Sequence, residues 1–481
     1  MRTKIWLPAI LLAAYAIACP ATTNGIDTRF GIAGVVTLGP SPVSGLEIFR
    51  AYALAIQADG KILIAGRGGD PASPGAAVPA IGRLDPDGSW DTTFANNGMF
   101  ILPTGSPTVP DGGMFDSINL FLDGSILASG GAYASGSFQY EGCTVLTKLT
   151  DTGVLDTAFA PDHSGSFCFA FALPRIDTYY VHVDGMVIDS DDTFYLTSPE
   201  TNRFSGAVAH FDQTGALIPT FGFLGIAQVP RIYANLLQLL PDRTTLVAGT
   251  YSESSTVRRT ASSHLDLAGN IDGSYGVDGI FANAQSAEDT GSVWAALDAQ
   301  NRFLISDDDY DSETATYQNY RFIRVTTSGQ PDVSFNGNGQ QPGYPGFAQP
   351  VVSGDANTDY LVAAQPLPDG HIFAVGDAGQ IAPTDGASNL ALLRLNDDSS
   401  WDASFGDPTH PGWVSINVGG TSASTNYARA IATDASGGIL VAASIGNDIN
   451  GNACDVLIRI VPDRIFDADM SSSASFPSCP N

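Results

Sequence analysis

The chain has 481 residues, 44% apolar and 15% charged, with 52 Gly and 29 Pro, which suits a turn-rich all-β protein with ample material for a core. Lys+Arg number 21 against 50 Asp+Glu, a net charge of −29. That field repels nucleic-acid phosphate and anionic membrane; it speaks first to a soluble, non-aggregating surface, and would attract Ca²⁺ or cationic ligands.

Residues 1–18 (MRTKIWLPAILLAAYAIA) have a basic start, an apolar run and a small-residue end, the pattern of an export signal. No later stretch is apolar for long enough to span a bilayer as a helix. Cys19 follows in the context Ala16-Ile17-Ala18-Cys19. Two readings are open there. Ala16-x-Ala18 satisfies an ordinary cleavage site, which leaves Cys19 as a plain thiol. The same four residues resemble the lipobox of bacterial lipoproteins, with Ala16 where Leu is usual, and that resemblance implies a diacylglyceryl group on Cys19. Residues 19–25 then form a tether, of which Pro20 to Gly25 spans at most ~20 Å at ~3.3 Å per residue. The expected places are the outer membrane or cell surface, with membrane contact only through the lipid anchor; a periplasmic or secreted chain is the alternative.

From residue 26 to 481 one pattern recurs. Gln57–Gly66 (QADGKILIAG) reads as two strands around an Asp-Gly turn. Its relatives start at Phe121, Asp189, Leu240, Asp298, Leu367 and Asp434, which places the turn position at 60, 124, 192, 243, 301, 370 and 437. A second motif follows each hairpin: a strand, a Gly/Asp turn and an Asp-x-x-Phe element, as in Gly82–Gly98 (GRLDPDGSWDTTFANNG). Each repeat supplies four short strands, and seven such repeats predict a seven-bladed β-propeller. Ile26–Leu38 (IDTRFGIAGVVTL) is the tail of a repeat with no head before it, while the last copy, ending at Met470, lacks its trailing strand. The sequence therefore predicts circular closure, with Val35–Leu38 as the outer strand of the final blade. The rival phasing puts that strand in the first blade.

A-x-A-x-Q-x-DGKILIAG together with RLDPDGSWDTTF resembles the bacterial delta-sixty repeat, a β-propeller repeat family of unknown function. The resemblance spans nearly the whole mature chain, and copies three to five have lost the Asp-Gly turn. It implies a propeller on an exported protein, and no catalytic residues.

Five cysteines are present. Cys143 and Cys454 share one repeat register, and Cys168 and Cys479 each lie 25 residues further on. Four cysteines allow three connectivities; the shared register favours the disulfides 143–168 and 454–479 in an oxidising compartment. Cys19 is left over, which favours its modification.

One register holds a basic residue in every repeat: Arg83, Lys148, His210, His264, Arg324, Arg394 and Arg459. Eight residues later stand Asp91, Asp156, Asp272, Asp332, Asp402 and Asp467, with Ile218 in the third repeat. A basic ring for an anionic ligand is one reading. Structural ion pairs across the hairpin are the favoured one, since a buried charge needs its partner. Asp307, Asp309 and Asp311 alternate in the densest acidic run, so three carboxylates could converge on Ca²⁺. The run is placed in the loop between the second and third strands of blade five, and a solvated acidic loop is the favoured reading. Trp90, Trp401 and Trp294 read as core, and Trp413, at the start of an outer strand, is unplaced. No nucleophile elbow, H-E-x-x-H or phosphate loop occurs.

Three functions fit. The favoured one is an exported, lipid-anchored, non-catalytic scaffold that binds a protein or glycan. The second is a lyase, hydrolase or quinoprotein with its site over the central channel. The third is a structural envelope-assembly component. A basic ring free of its aspartates would favour the enzyme; long variable loops, such as Arg67 to Ala77, Tyr251 to Arg259 and Gln340 to Asp359, would favour binding.

Overall fold

A computed structural model describes residues 25–461, except 40–41, 43–47, 70–76, 104–111, 134–139, 172–184, 200–204, 253–257, 284–291, 312–315, 337–345, 351, 353–359, 379–388, 408–409, 417–425, 435–436 and 446–453. The described residues form seven four-stranded antiparallel sheets and one two-stranded ribbon, with no helix among them. Each sheet is a propeller blade.

Blade one sets the pattern. Its inner strand Ile48–Ile56 pairs with Ile62–Gly69, then Val78–Leu84, then the outer Met99–Ile101. The inner strands of neighbouring blades touch all the way round, so they form the wall of the central channel. The hairpin turns and the turns between third and outer strands lie at one end of the ring, the turn face. Second strands pass to third strands at the opposite end, the loop face.

Closure is as the half-repeat predicts. Blade seven consists of Asn426–Thr433, Ile439–Ile445, Cys454–Ile460 and, as its outer strand, Val35–Thr37. Val35 faces Ile458, Val36 faces Leu457 and Thr37 faces Val456. Leu38 N donates to Asp455 O at 2.8 Å. The ring thus protects both edges that an open chain of blades would expose.

There is no single core. Buried side chains fall into seven clusters, one at each seam between blades, from Phe49, Val36 and Leu440 at the seam of blades seven and one to Phe159, Met186 and Phe194 at the seam of blades two and three. Every cluster contains one aromatic of the Asp-x-x-Phe element: Phe94, Phe159, Phe221, Tyr275, Phe335, Phe405 or Phe30. Trp90 packs with Phe49 at 6.4 Å, Trp294 and Trp401 lie against seam clusters, and Trp413 packs half-buried at the seam of blades five and six with His410 at 4.6 Å.

Two of the recurring turn positions take a left-handed backbone. All seven hairpin turns have one, at Gly60, Gly124, Asp192, Arg243, Asn301, Gly370 and Gly437. So the three repeats without glycine keep the geometry and carry the strain of a side chain there. The other kind is Gly153, in the turn after a third strand, where a Cβ would stand 2.6 Å from the Phe94 ring of the preceding blade. Gly370 has φ +91° and nothing within 4 Å of such a Cβ.

These two glycines separate backbone strain from steric overlap. Gly370→Ala is expected to cost about 1 kcal/mol, and Gly153→Ala roughly 2–4 kcal/mol because the Phe94 ring must also move. Denaturant unfolding of the two variants checks the difference.

Candidate functional site

The recurring base lies on the third strand near the turn face, and each aspartate follows the next turn. Arg83 Nε stands 2.8 Å from Asp91 Oδ2, Lys148 Nζ 3.3 Å from Asp156 Oδ2 and His264 Nδ1 3.0 Å from Asp272 Oδ2. Arg324 Nε stands 2.7 Å from Asp332 Oδ2, and Arg394 Nε 3.2 Å from Asp402 Oδ2. Two of the bases sit on aromatics of the same motif, Arg83 Cζ 4.4 Å from the Phe94 ring centre and Arg324 Cζ 4.5 Å from that of Phe335, while Lys148 Nζ lies 4.4 Å from the ring of Phe121 in its hairpin. These contacts fix the five bases within their own blades.

Four of the recurring bases also cross the seam. Arg83 Nη1 donates to Asp151 O of blade two. Lys148 Nζ donates to Gln213 O of blade three at 3.3 Å. Arg324 Nη1 donates to Asp397 O of blade six at 2.6 Å, and Arg459 Nη1 to Pro86 O of blade one at 3.0 Å. In each case the acceptor is the carbonyl three residues past the neighbour's own base. A backbone bond runs beside it, from the residue after the motif's aromatic to the neighbour's next carbonyl. Gly31→Asp87, Ala95→Thr152, Ala160→Thr214, Gly222→Ala268, Gly276→Ser328 and Asn336→Asp398 all measure between 2.7 and 3.2 Å. In those four blades the recurring base is a staple to the next blade.

Three readings from the sequence change. In blade seven the place assigned to Asp467 is held by Asp27: Asp27 N donates to Arg459 O at 2.9 Å, as Asp91 N does to Arg83 O. The cause is closure, which brings in the half-repeat's whole Asp-x-x-Phe element together with its strand. The Asp27 carboxylate turns to Arg29 at 2.8 Å, and Arg459 Nη2 pairs with Asp434; Asp467 lies outside the described residues. Next, Asp307, Asp309 and Asp311 lie in the second strand Phe303–Asp311, and are not in a loop. A bulge between Asp308 and Tyr310 interrupts the alternation that would put the three on one face. Their side chains lie outside the described residues. Among the described residues no group of three or more His, Cys, Asp or Glu is placed to hold a metal. Finally, the sequence reading misses a third partner, the residue just after the hairpin turn. Lys61 Nζ is 2.6 Å from Asp91, Arg302 Nη1 3.2 Å from Asp332 and His371 Nε2 3.6 Å from Asp402. Where the base is histidine this residue is threonine: His210 Nε2 bonds Thr193 Oγ1 at 3.0 Å and His264 Nε2 bonds Thr244 Oγ1 at 2.7 Å. That coupled change between registers is the signal that finds it.

Cys168 is disulfide-bonded. The side chains of Cys143 and Cys454, and all of Cys19 and Cys479, lie outside the described residues.

Electrostatics follow the packing. Burial acts to raise the Asp91 carboxyl, but hydrogen bonds from Lys61 and Thr93 and the Arg83 charge outweigh it and hold the group well below the usual carboxylate range. Burial lowers His210 to about 4, so it is neutral at neutral pH, stacked 3.8 Å from Tyr195. At the seams near the loop face two carboxylates shift the other way. Burial raises Asp377 to about 7 although it accepts Ala428 N–H at 2.8 Å. Burial likewise raises Asp455, which accepts Ala51 N–H at 2.7 Å and the Ser444 hydroxyl at 2.6 Å.

The sequence profile of a β-propeller domain of unknown function (DUF5122) matches residues 57–94 and 367–405, two copies of the hairpin with its following motif. No curated protein matches the chain. Solved structures with a similar fold include a protein of unknown function from Dyadobacter fermentans, 12% identical, covering 89% of this chain and 100% of that one with a TM-score of 0.41. A polysaccharide lyase is 9% identical over 88% of this chain and 94% of that one, at 0.45. The β-propeller domain of the Trilobed protease from Pyrococcus furiosus is 8% identical over 89% and 99%, at 0.43.

Removing a staple from its buried site leaves a carboxylate without its main partner. Arg324, 1% exposed in its side chain, is expected to cost about 3–5 kcal/mol as Arg324→Met, against about 1 kcal/mol for the more exposed Arg302→Met. Chemical denaturation at pH 7 measures both. Asp377 gives a pH test. Its folded pKa lies above the unfolded value, so the stability linked to its protonated form is present below about pH 4 and is lost as pH rises through about 7. Asp377→Asn is expected to match the wild-type melting temperature at pH 4.5 and to exceed it at pH 8.

Proposed function

We propose that this protein is an exported, lipid-anchored β-propeller that binds a protein or glycan at the cell envelope and does no chemistry on it. One observation carries the reading: the charged registers common to the repeats lie at the turn face and are engaged in holding blades together. What the repeat preserves is therefore a scaffold, and what differs between blades is left for recognition. The leader and Cys19 context supply the export and the anchor, with residues 19–25 as tether. The equivalent cysteine positions support disulfides 143–168 and 454–479, which suit an oxidising compartment. The delta-sixty resemblance supports the same assignment.

An enzyme with its site over the channel is the second reading. It draws on polar residues of several inner strands, Tyr52, Asn235 and Arg429 among them, each at a register shift of its strand.

Two measurements test the proposal. Intact mass of the chain from the membrane fraction is expected to begin at Cys19 and to carry a diacylglyceryl group; a mature chain with unmodified Cys19 overturns the anchor. Incubation with a panel of polysaccharides is expected to show saturable binding without chain shortening, and shortening of any of them overturns the non-catalytic reading.

A further inference from the structure

Two features of the chain coincide at one end of the ring. The first is the place where the tether joins it. Ile26 bridges Ile460 at the end of the third strand of blade seven, and Val461 N donates to Gly25 O at 2.7 Å. Third strands end at the turn face, so the tether meets the ring there. The second is the distribution of apolar surface. Every large apolar side chain that is exposed among the described residues lies at the turn face, Ile32, Leu122, Phe223, Leu224, Leu267 and Val277 among them.

Four of these lie on two adjacent blades. Gly222 N donates to Ala268 O at 2.7 Å, which sets Phe223 and Leu224 of blade three beside the turn of blade four that carries Leu267. Val277 follows in the next turn of blade four, where Gly276 N donates to Ser328 O of blade five. Phe223 and Leu224 are each 63% exposed and Val277 76%. The repeat does not require apolar residues here: the place of Phe223 and Val277, two past the motif's aromatic, is Asn96 in blade one and Asp407 in blade six. Apolar surface left in water is unfavourable, and clusters of it mark contact sites. The blades run in order round the ring and blade seven touches blade one, so blades three and four stand opposite blade seven. Tether and apolar cluster therefore hold opposite sides of the same face.

We propose that the turn face rests on the surface of a zwitterionic lipid bilayer, with Phe223, Leu224, Leu267 and Val277 inserted among the headgroups. A tether of at most ~20 Å keeps this face against the membrane that holds the anchor. An anchor on one side leaves the ring free to tilt, and the cluster opposite supplies the second point that sets the face parallel to the bilayer. Such side chains enter the interface without spanning it. Charge selects the lipid. Asp266 and Asp278 flank Leu267 and Val277 in a chain of net charge −29, so anionic headgroups are repelled and the ammonium of a zwitterionic one is accepted. The loop face then points away from the membrane, toward a partner. The inference rests on the lipid-anchored reading and adds a second membrane contact to the anchor.

Vesicle co-sedimentation of the mature chain carrying Cys19→Ser tests the face without the lipid. The chain is expected to bind phosphatidylcholine vesicles saturably and phosphatidylglycerol vesicles at least tenfold more weakly. Phe223→Ser with Leu224→Ser is expected to weaken phosphatidylcholine binding tenfold or more at an unchanged melting temperature. Leu267→Ser with Val277→Ser is expected to do the same, and carries the test if the first pair fails to fold. Hydrogen exchange on the vesicles is expected to slow at residues 222–225 and 276–279. No phosphatidylcholine binding, wild-type binding by both double variants, or slowing at the loop face alone overturns the proposal. So does self-association in place of vesicle binding, lost in the serine variants, which assigns the cluster to a second copy of the chain. A lipidated Cys19 without vesicle binding leaves the anchor and removes the face; an unmodified Cys19 with vesicle binding does the reverse.

Discussion

The structure depends on one repeated contact: in four of the seven blades a base on the third strand, held by an aspartate of its own blade, donates to a turn carbonyl of the next, and a backbone bond runs across the seam at six of the seven junctions. A propeller blade has no hydrophobic partner within itself. Its two faces are buried only by its neighbours, and here the core is divided into seven slabs at the seams. Apolar contact is non-directional and fixes no angle between blades. Hydrogen bonds to a carbonyl at one set position do. The base, its aspartate and the motif's aromatic therefore act as one unit: the carboxylate orients the cation, the ring packs beneath it, and the neighbouring turn lies against the same ring through a glycine such as Gly153.

Closure extends this unit around the whole circle. The half-repeat at the start of the chain brings an outer strand, and also Asp27 and Phe30, which complete the motif of blade seven. Gly31 N then bonds Asp87 O of blade one at 2.8 Å, the same bond that Ala95 makes to Thr152 one seam on. The first and last repeats become neighbours like any other two, although they are the farthest apart in sequence.

Much of this was legible in the residues because it is local. The hairpin turn is encoded in adjacent residues, its spacing counts the blades, and the base and acid are eight positions apart across one turn. Other features were hidden for definite physical reasons. A backbone carbonyl has no side-chain signature, so the acceptor across the seam could not be read, and the basic register looked like an ion pair alone. Lys61, Arg302 and His371 vary in type with their partners, so the register after the hairpin turn shows no constant residue. The bulges at Tyr52 and Arg429 add one residue to a strand of ordinary composition, and the acidic run at 307–311 continues a strand where its polarity suggested a loop. Asp467 was matched to Arg459 by spacing, whereas ring closure supplies Asp27.

The account stands or falls on whether the seam bonds hold as firmly as the blades themselves. Native-state hydrogen exchange on the amides of Gly31, Ala95, Ala160, Gly222 and Gly276 measures this directly. If the staples set the ring, these turn-face amides exchange only with global unfolding, at the same free energy as amides in the second strands. Exchange by local opening, at the rate of an ordinary surface turn, would contradict the account and leave the ring to apolar packing alone.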